Sequence, residues 1–150
     1  MYEQAIIDGY NLLYRQPAAG DLASRRQALI RLLEPALGVI AQRITVVFDG
    51  ATAETDPGAT GVEVVFSPAG RTADEVITGM VQTAPRPAQI LVVTSDRPER
   101  ETADGAGAAT MSCGIFLQTL AAQQALLSAH LARRAVRNRS ACLGDFFPDT

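Results

Sequence analysis

Three short apolar runs in this chain each end in an aspartate. Gln4-Ala5-Ile6-Ile7 leads into Asp8-Gly9-Tyr10-Asn11, Val46-Val47-Phe48 into Asp49-Gly50, and Leu91-Val92-Val93-Thr94-Ser95 into Asp96. Runs this short and this rich in β-branched residues read as buried strands rather than helices. Each strand therefore delivers a carboxylate to the loop that follows it. A fourth acid, Asp74, opens a helix in Arg71-Thr72-Ala73-Asp74-Glu75.

The stretches between these runs carry helical signals. Asp21 is placed to cap a helix whose apolar stripe is Leu29, Leu32, Leu33, Ala36, Leu37 and Ile40, with Pro35 predicting a kink or two short helices. Strand two is predicted over residues 44–48 and strand three over 62–66, with a loop over 49–61 and Glu63 turned to solvent or an edge. Thr72 caps a helix expected over 73–82, in which Val76, Ile77, Met80 and Val81 face inward. Strand four follows at 89–94, with an apolar centre that suits cover on both faces. A short helix after Pro98, a weak strand near 108–111 and a long helix over 115–136 complete the pattern. Residues 1–137 read as one domain and 138–150 as a C-terminal tail in which Phe146 and Phe147 dock.

Alternating strands and helices predict an α/β three-layer sandwich on a mostly parallel sheet. In such sheets ligands sit at the carboxyl ends of the strands, near the reversal of strand order. Asp8, Asp49 and Asp96 then share one edge. Asp74 joins them only if strand three is also parallel, which requires residues 49–61 to recross a sheet edge of ~17 Å; such a linker reaches ~40 Å.

Ionised carboxylates crowded at about 4 Å repel by a few kcal/mol per pair at an effective dielectric near 20. A cation relieves this, and hard oxygen donors without nearby His or Cys select Mg²⁺ or Mn²⁺. Such an ion acidifies bound water and stabilises an in-line phosphodiester displacement. Asp8, Asp96 and Asp74 are the candidate metal ligands. Asp49 completes the cluster, Asn11 orients a water or phosphate, and Thr94 or Ser95 hydrogen-bonds a carboxylate. Arg71, Arg97 and Arg100 lie near the same edge in sequence and are candidates for RNA phosphates.

Each feature also has a plainer explanation. Asp is common at strand ends because it caps helices and makes turns. Arg97 and Arg100 are also placed to pair with Glu99 or Glu101. The cluster Arg133-Arg134-Ala135-Val136-Arg137-Asn138-Arg139 suits RNA, a partner or simply the negative end of a helix. His130 has no acid near it in sequence, and Cys113 reads as a packed thiol.

Bulk properties narrow the choices. A formal net charge of −3 argues against coating nucleic acid by bulk charge. All 13 basic residues are arginine. Without lysine, a phosphoacceptor receiver domain and a P-loop NTPase lose a required residue. A haloacid-dehalogenase-type phosphatase needs an acid where Tyr10 stands. Two cysteines, Cys113 and Cys142, make no disulfide framework, no leader or membrane span is read, and a reducing cytoplasm is expected.

At Asp8-Gly9-Tyr10-Asn11, with Val47-Phe48-Asp49, Thr72-Ala73-Asp74-Glu75 and Thr94-Ser95-Asp96-Arg97, the chain resembles the NYN domain of the YacP-like group, within the wider PIN-like nuclease class. The resemblance covers about residues 4–125, including Gly107-Ala108 and Met111-Ser112. It implies a PIN-like fold, an acidic Mg²⁺ or Mn²⁺ site and endonucleolytic RNA cleavage by activated water. It also implies the ribosome as a partner. The family's acidic positions fall on Asp8, Asp49, Asp74 and Asp96, with Asn11 beside them. The acidic net charge, the lack of lysine and the arginine-bearing tail depart from the family pattern, which points to RNA binding that rests on a partner. The rival reading is a non-catalytic RNA- or ribosome-binding module with the same fold. Nothing in the sequence decides the oligomeric state.

Overall fold

The computed structural model describes residues 1–17, 20–50 and 61–146. Five strands form one sheet: β1 (Tyr2–Asp8), β2 (Ala41–Phe48), β3 (Val62–Phe66), β4 (Ile90–Val93) and β5 (Ala109–Met111). Their order is β3-β2-β1-β4-β5 and every pairing is parallel. The order reverses between β1 and β4, so the ends of these two strands flank the switch point. Asp8 and Asp96 leave the sheet there, as expected from the sequence.

Parallel pairing requires a crossover after each strand. Helices α1 (Gly9–Leu13) and α2 (Leu22–Leu33) follow β1, α3 (Ala73–Thr83) follows β3, and α4 (Arg97–Gly105) follows β4. The crossover between β2 and β3 lies largely outside the described residues; its outcome is visible in β3, which runs parallel to β2. Side chains alternate across the sheet. Ile6, Val47 and Val92 pack with Ala73, Ile77, Val81 and Ala103 of α3 and α4. On the other face Phe48 lies over Gly9 of α1, and Arg26 of α2 stands over the Phe48 ring. The sheet is therefore covered on both faces, which explains the uninterrupted apolar run of β4.

The predicted caps are present. Asp21 Oδ1 accepts from the Ser24 N–H at 2.8 Å, and Thr72 Oγ1 accepts from the Glu75 N–H at 3.2 Å. Pro35 ends α2 in a short 3-10 turn, Glu34–Ala36. Two extents differ from the sequence reading. Residues 9–13, expected as loop, form α1 and bury Leu12 and Leu13. The last helix, α5, spans Cys113–Phe146 rather than 115–136, so the expected tail is helical through Phe146. No proline or glycine interrupts residues 115–143, and the helix continues through the arginine cluster. The docking expected of Phe146 and Phe147 lies outside the described residues.

The chain divides into two compact units, Met1–Phe116 and a second beginning at Leu117. The first holds the sheet. The second is the remainder of α5, on which Leu126, Leu127, Leu131 and Val136 are exposed. Among the described residues no helix is long and apolar enough to cross a membrane.

Candidate active site

The carboxyl edge of the sheet opens into a cleft of ≈ 550 Å³ lined by Asp8, Asn11, Asp49, Asp74, Asp96 and Glu99, with Tyr10, Tyr14, Arg15 and Thr72 on its walls. All four predicted acids reach it. Asp8 ends β1 and Asp96 begins α4, while Asp74 sits in the first turn of α3, presented by the Thr72 cap. Asp49 is exposed and is held by Ser67, whose Oγ donates to Asp49 Oδ1 at 3.1 Å.

These acids sense one another. Burial raises the Asp8 carboxyl above the usual carboxylate range; hydrogen bonds from Glu99 and Asn11 oppose this, and the charges of Asp74 and Asp96 add to it. Asp74 is raised by desolvation and by the charges of Asp96 and Glu75. Such shifts mark acids gathered in one partly dry place.

Glu99 is the functional candidate that the sequence reading missed, having appeared there only as a partner for arginine. It is 3% exposed, in the first turn of α4. Thr94 Oγ1 donates to Glu99 Oε2 at 2.9 Å and accepts from the Asp96 N–H at 3.1 Å. Asp96 Oδ1 in turn accepts from the Glu99 N–H at 3.1 Å. Burial, and then the hydrogen bond and charge of Asp8, push the Glu99 carboxyl up to about 9. Glu99 Oε1 is buried without a hydrogen-bond partner among the described residues. Two ionised carboxylates in contact have no donor between them, so a shared proton or a cation satisfies the pair. The available signal was the spacing Asp96-Arg97-Pro98-Glu99, a capping pattern that turns the fourth residue back towards the strand end.

Asn11 ties the switch point together. Its Oδ1 accepts from the Ser95 N–H at 2.7 Å and from Cys113 Sγ at 3.2 Å, while Ser95 Oγ accepts from the Cys113 N–H at 3.1 Å. The Asn11 carbonyl thus locks α1 to the loop after β4 and to the start of α5. Burial raises the Cys113 thiol, which favours the protonated donor seen in this contact.

The predicted phosphate-binding arginines are not among the residues that line the cleft. Arg71 and Arg97 are exposed and lie 3.8 and 3.5 Å from Glu75 and Glu101, one helical turn on. Arg100 buries its Nε without a partner among the described residues. The arginine on the cleft wall is Arg15.

The donors are hard oxygens throughout, and an orphaned buried carboxylate oxygen lies among them. That chemistry fits a magnesium-like ion. No group of three described His, Cys, Asp or Glu residues stands ready as a cation cage. Mg²⁺ binds through one or two carboxylates with retained waters, so the absence of a cage is compatible with it.

The model of the YacP-like NYN domain family matches residues 5–143. Among solved structures, Rae1 (YacP) from Bacillus subtilis is similar at 26% identity and a TM-score of 0.74, over 95% of this chain and 87% of that one. A mutant of the same protein gives 28% identity and a TM-score of 0.71, over 92% and 84% of the respective chains. No curated protein matches the chain.

Proposed function

The chain belongs to the YacP-like NYN domain family, and from that premise we propose that it is a divalent-metal-dependent endoribonuclease. Its α/β fold is the nuclease-like fold of its structural neighbours. The observation that carries the proposal is the convergence of Asp8, Asp74, Asp96 and Glu99 on one cleft at the switch point, with the Glu99 carboxyl buried against that of Asp8.

In this reading Asp8, Asp74 and Asp96 would hold Mg²⁺ or Mn²⁺ between them, directly or through retained waters, and the ion would supply an acidified water and neutralise charge on a scissile phosphate. Glu99 fixes the Asp8 carboxyl from below and holds a proton when no cation is present. Thr94 aims Glu99 and, through the Asp96 N–H, the start of α4. Asn11 keeps the ends of β1 and β4 in register. Asp49 stands at the rim, where it orders water at the edge of the cleft. Arg71, Arg97 and Arg100 steer RNA phosphates from outside it, in the cytoplasm and with messenger RNA at the ribosome as the substrate.

Incubation of RNA with the protein in Mn²⁺, Mg²⁺ or EDTA, followed by analysis of the new ends, tests this. The expected result is internal cleavage that EDTA abolishes. The rival reading is a non-catalytic RNA- or ribosome-binding module. That module binds RNA equally in EDTA and keeps its binding in the Asp8→Asn variant.

A further inference from the structure

An aromatic column rises from the core to the lip of the cleft. Phe66 and Phe48 stack at 5.6 Å, Phe48 meets Tyr10 at 4.9 Å, and Tyr10 stacks on Tyr14 at 5.8 Å with 21° between their planes. Phe48 is fully buried, whereas Tyr14 at the other end is 64% exposed. Tyr14, the residue that caps the end of α1, follows Tyr10 by four positions, and both line the cleft. The column is braced by Arg26, which donates to Tyr10 Oη at 3.2 Å and lies over the Phe48 and Phe66 rings.

Arginines surround the exposed end. The Arg25 guanidinium lies 5.4 Å from the centre of the Tyr14 ring, and its Nε is buried without a partner among the described residues. Arg15, the next residue in the chain, lines the cleft. A largely exposed ring with one guanidinium over it and a second on the wall of the same acidic cleft matches an unpaired nucleobase, stacked with the Tyr14–Arg25 pair, and its flanking phosphates.

We propose that Tyr14, with Arg25 and Arg15, forms a stacking subsite for one base of single-stranded RNA next to the cleft. The subsite deepens the nuclease reading and rests on it for the choice of polymer. Bases inside a duplex are already stacked and do not reach the ring, so the subsite selects unpaired RNA. Because Tyr14 is anchored through Tyr10 to a buried residue, it is ordered before RNA arrives and stacking costs little further entropy.

The chain has no tryptophan, so Tyr14→Trp introduces a single indole at the subsite, excited selectively at wavelengths where tyrosine does not absorb. It is combined with Asp8→Asn to prevent cleavage and titrated with a single-stranded oligoribonucleotide, an RNA duplex and polyglutamate. Saturable quenching by the single strand alone is expected. In anisotropy measurements Tyr14→Ala weakens binding of that strand about tenfold, whereas Tyr14→Phe retains it. Circular dichroism melts show whether either variant has lost the fold. Unchanged affinity in folded Tyr14→Ala, or equal quenching by duplex or polyglutamate, overturns the subsite. Quenching without cleavage by the wild-type protein keeps the subsite and removes the nuclease; cleavage without quenching does the reverse.

Discussion

The carboxyl of Glu99 rests against that of Asp8, held from its other side by the Thr94 hydroxyl at 2.9 Å. The two acids come from either side of the switch point, one on the last residue of β1 and one in the first turn of α4. Either a proton or a cation must lie between them, and this makes the site responsive to both.

The Glu99 carboxyl is pushed up to about 9 in the folded chain, against 4.5 for an ordinary glutamate. Between these values the folded state keeps a proton that the unfolded state releases. The stability this contributes is complete below pH 4.5 and is lost as pH rises towards about 9. Glu99→Gln removes the dependence, so in EDTA at pH 8 the variant melts several degrees above wild type, a gain of about 1 kcal/mol or more. Melting curves across pH 5–9 check the slope, and equal slopes for the two proteins contradict the buried pair.

Gly9 is required by packing. A Cβ added there lies 2.5 Å from two atoms of the Phe48 ring. Gly9→Ala forces the ring and the aromatic column to shift, costing about 1–3 kcal/mol. Urea unfolding with an unchanged m-value checks it.

Asn11→Ala leaves the Ser95 N–H and the Cys113 thiol without their shared acceptor. The expected loss is about 1–3 kcal/mol of stability. Because the Asn11 clasp also positions Asp8 against Asp96, cleavage falls more than RNA binding does, a split that single-turnover kinetics and anisotropy resolve separately.

Arg71 and Arg97 make exposed pairs with the glutamates four residues on. Their replacement by alanine leaves thermal stability within measurement error. If they steer phosphates, it also lowers RNA affinity and flattens its salt dependence. Affinity measured at two or more salt concentrations checks both.

How much of this was legible in the sequence depended on how local the signal was. Strands ending in acids gave the sheet edge, and alternating helices gave the parallel order, because both patterns repeat at short range. Asp21 and Thr72 declared their caps for the same reason. Glu99 stayed hidden because its burial comes from α4 closing onto β1 and β4, which no nearby residue announces. Helix α1 has only five residues, beginning with glycine, so propensity favoured a loop. Tyr14 and Arg25 come together only when α1 and α2 pack, and neither carries a motif. Arg71 and Arg97 were placed near the cleft by sequence proximity, and their side chains pair with glutamates four residues on.

The most direct measurement is cleavage of RNA by purified wild-type protein and by Asp8→Asn with Asp96→Asn, in Mn²⁺ and in EDTA. The account predicts metal-dependent internal cuts for wild type and none for the double variant. It also predicts a double variant that is folded and melts at or above the wild-type temperature, since charge repulsion has been removed. Undiminished cutting by the folded double variant, or cutting by wild type that persists in EDTA, contradicts a carboxylate-held metal as the source of the activity.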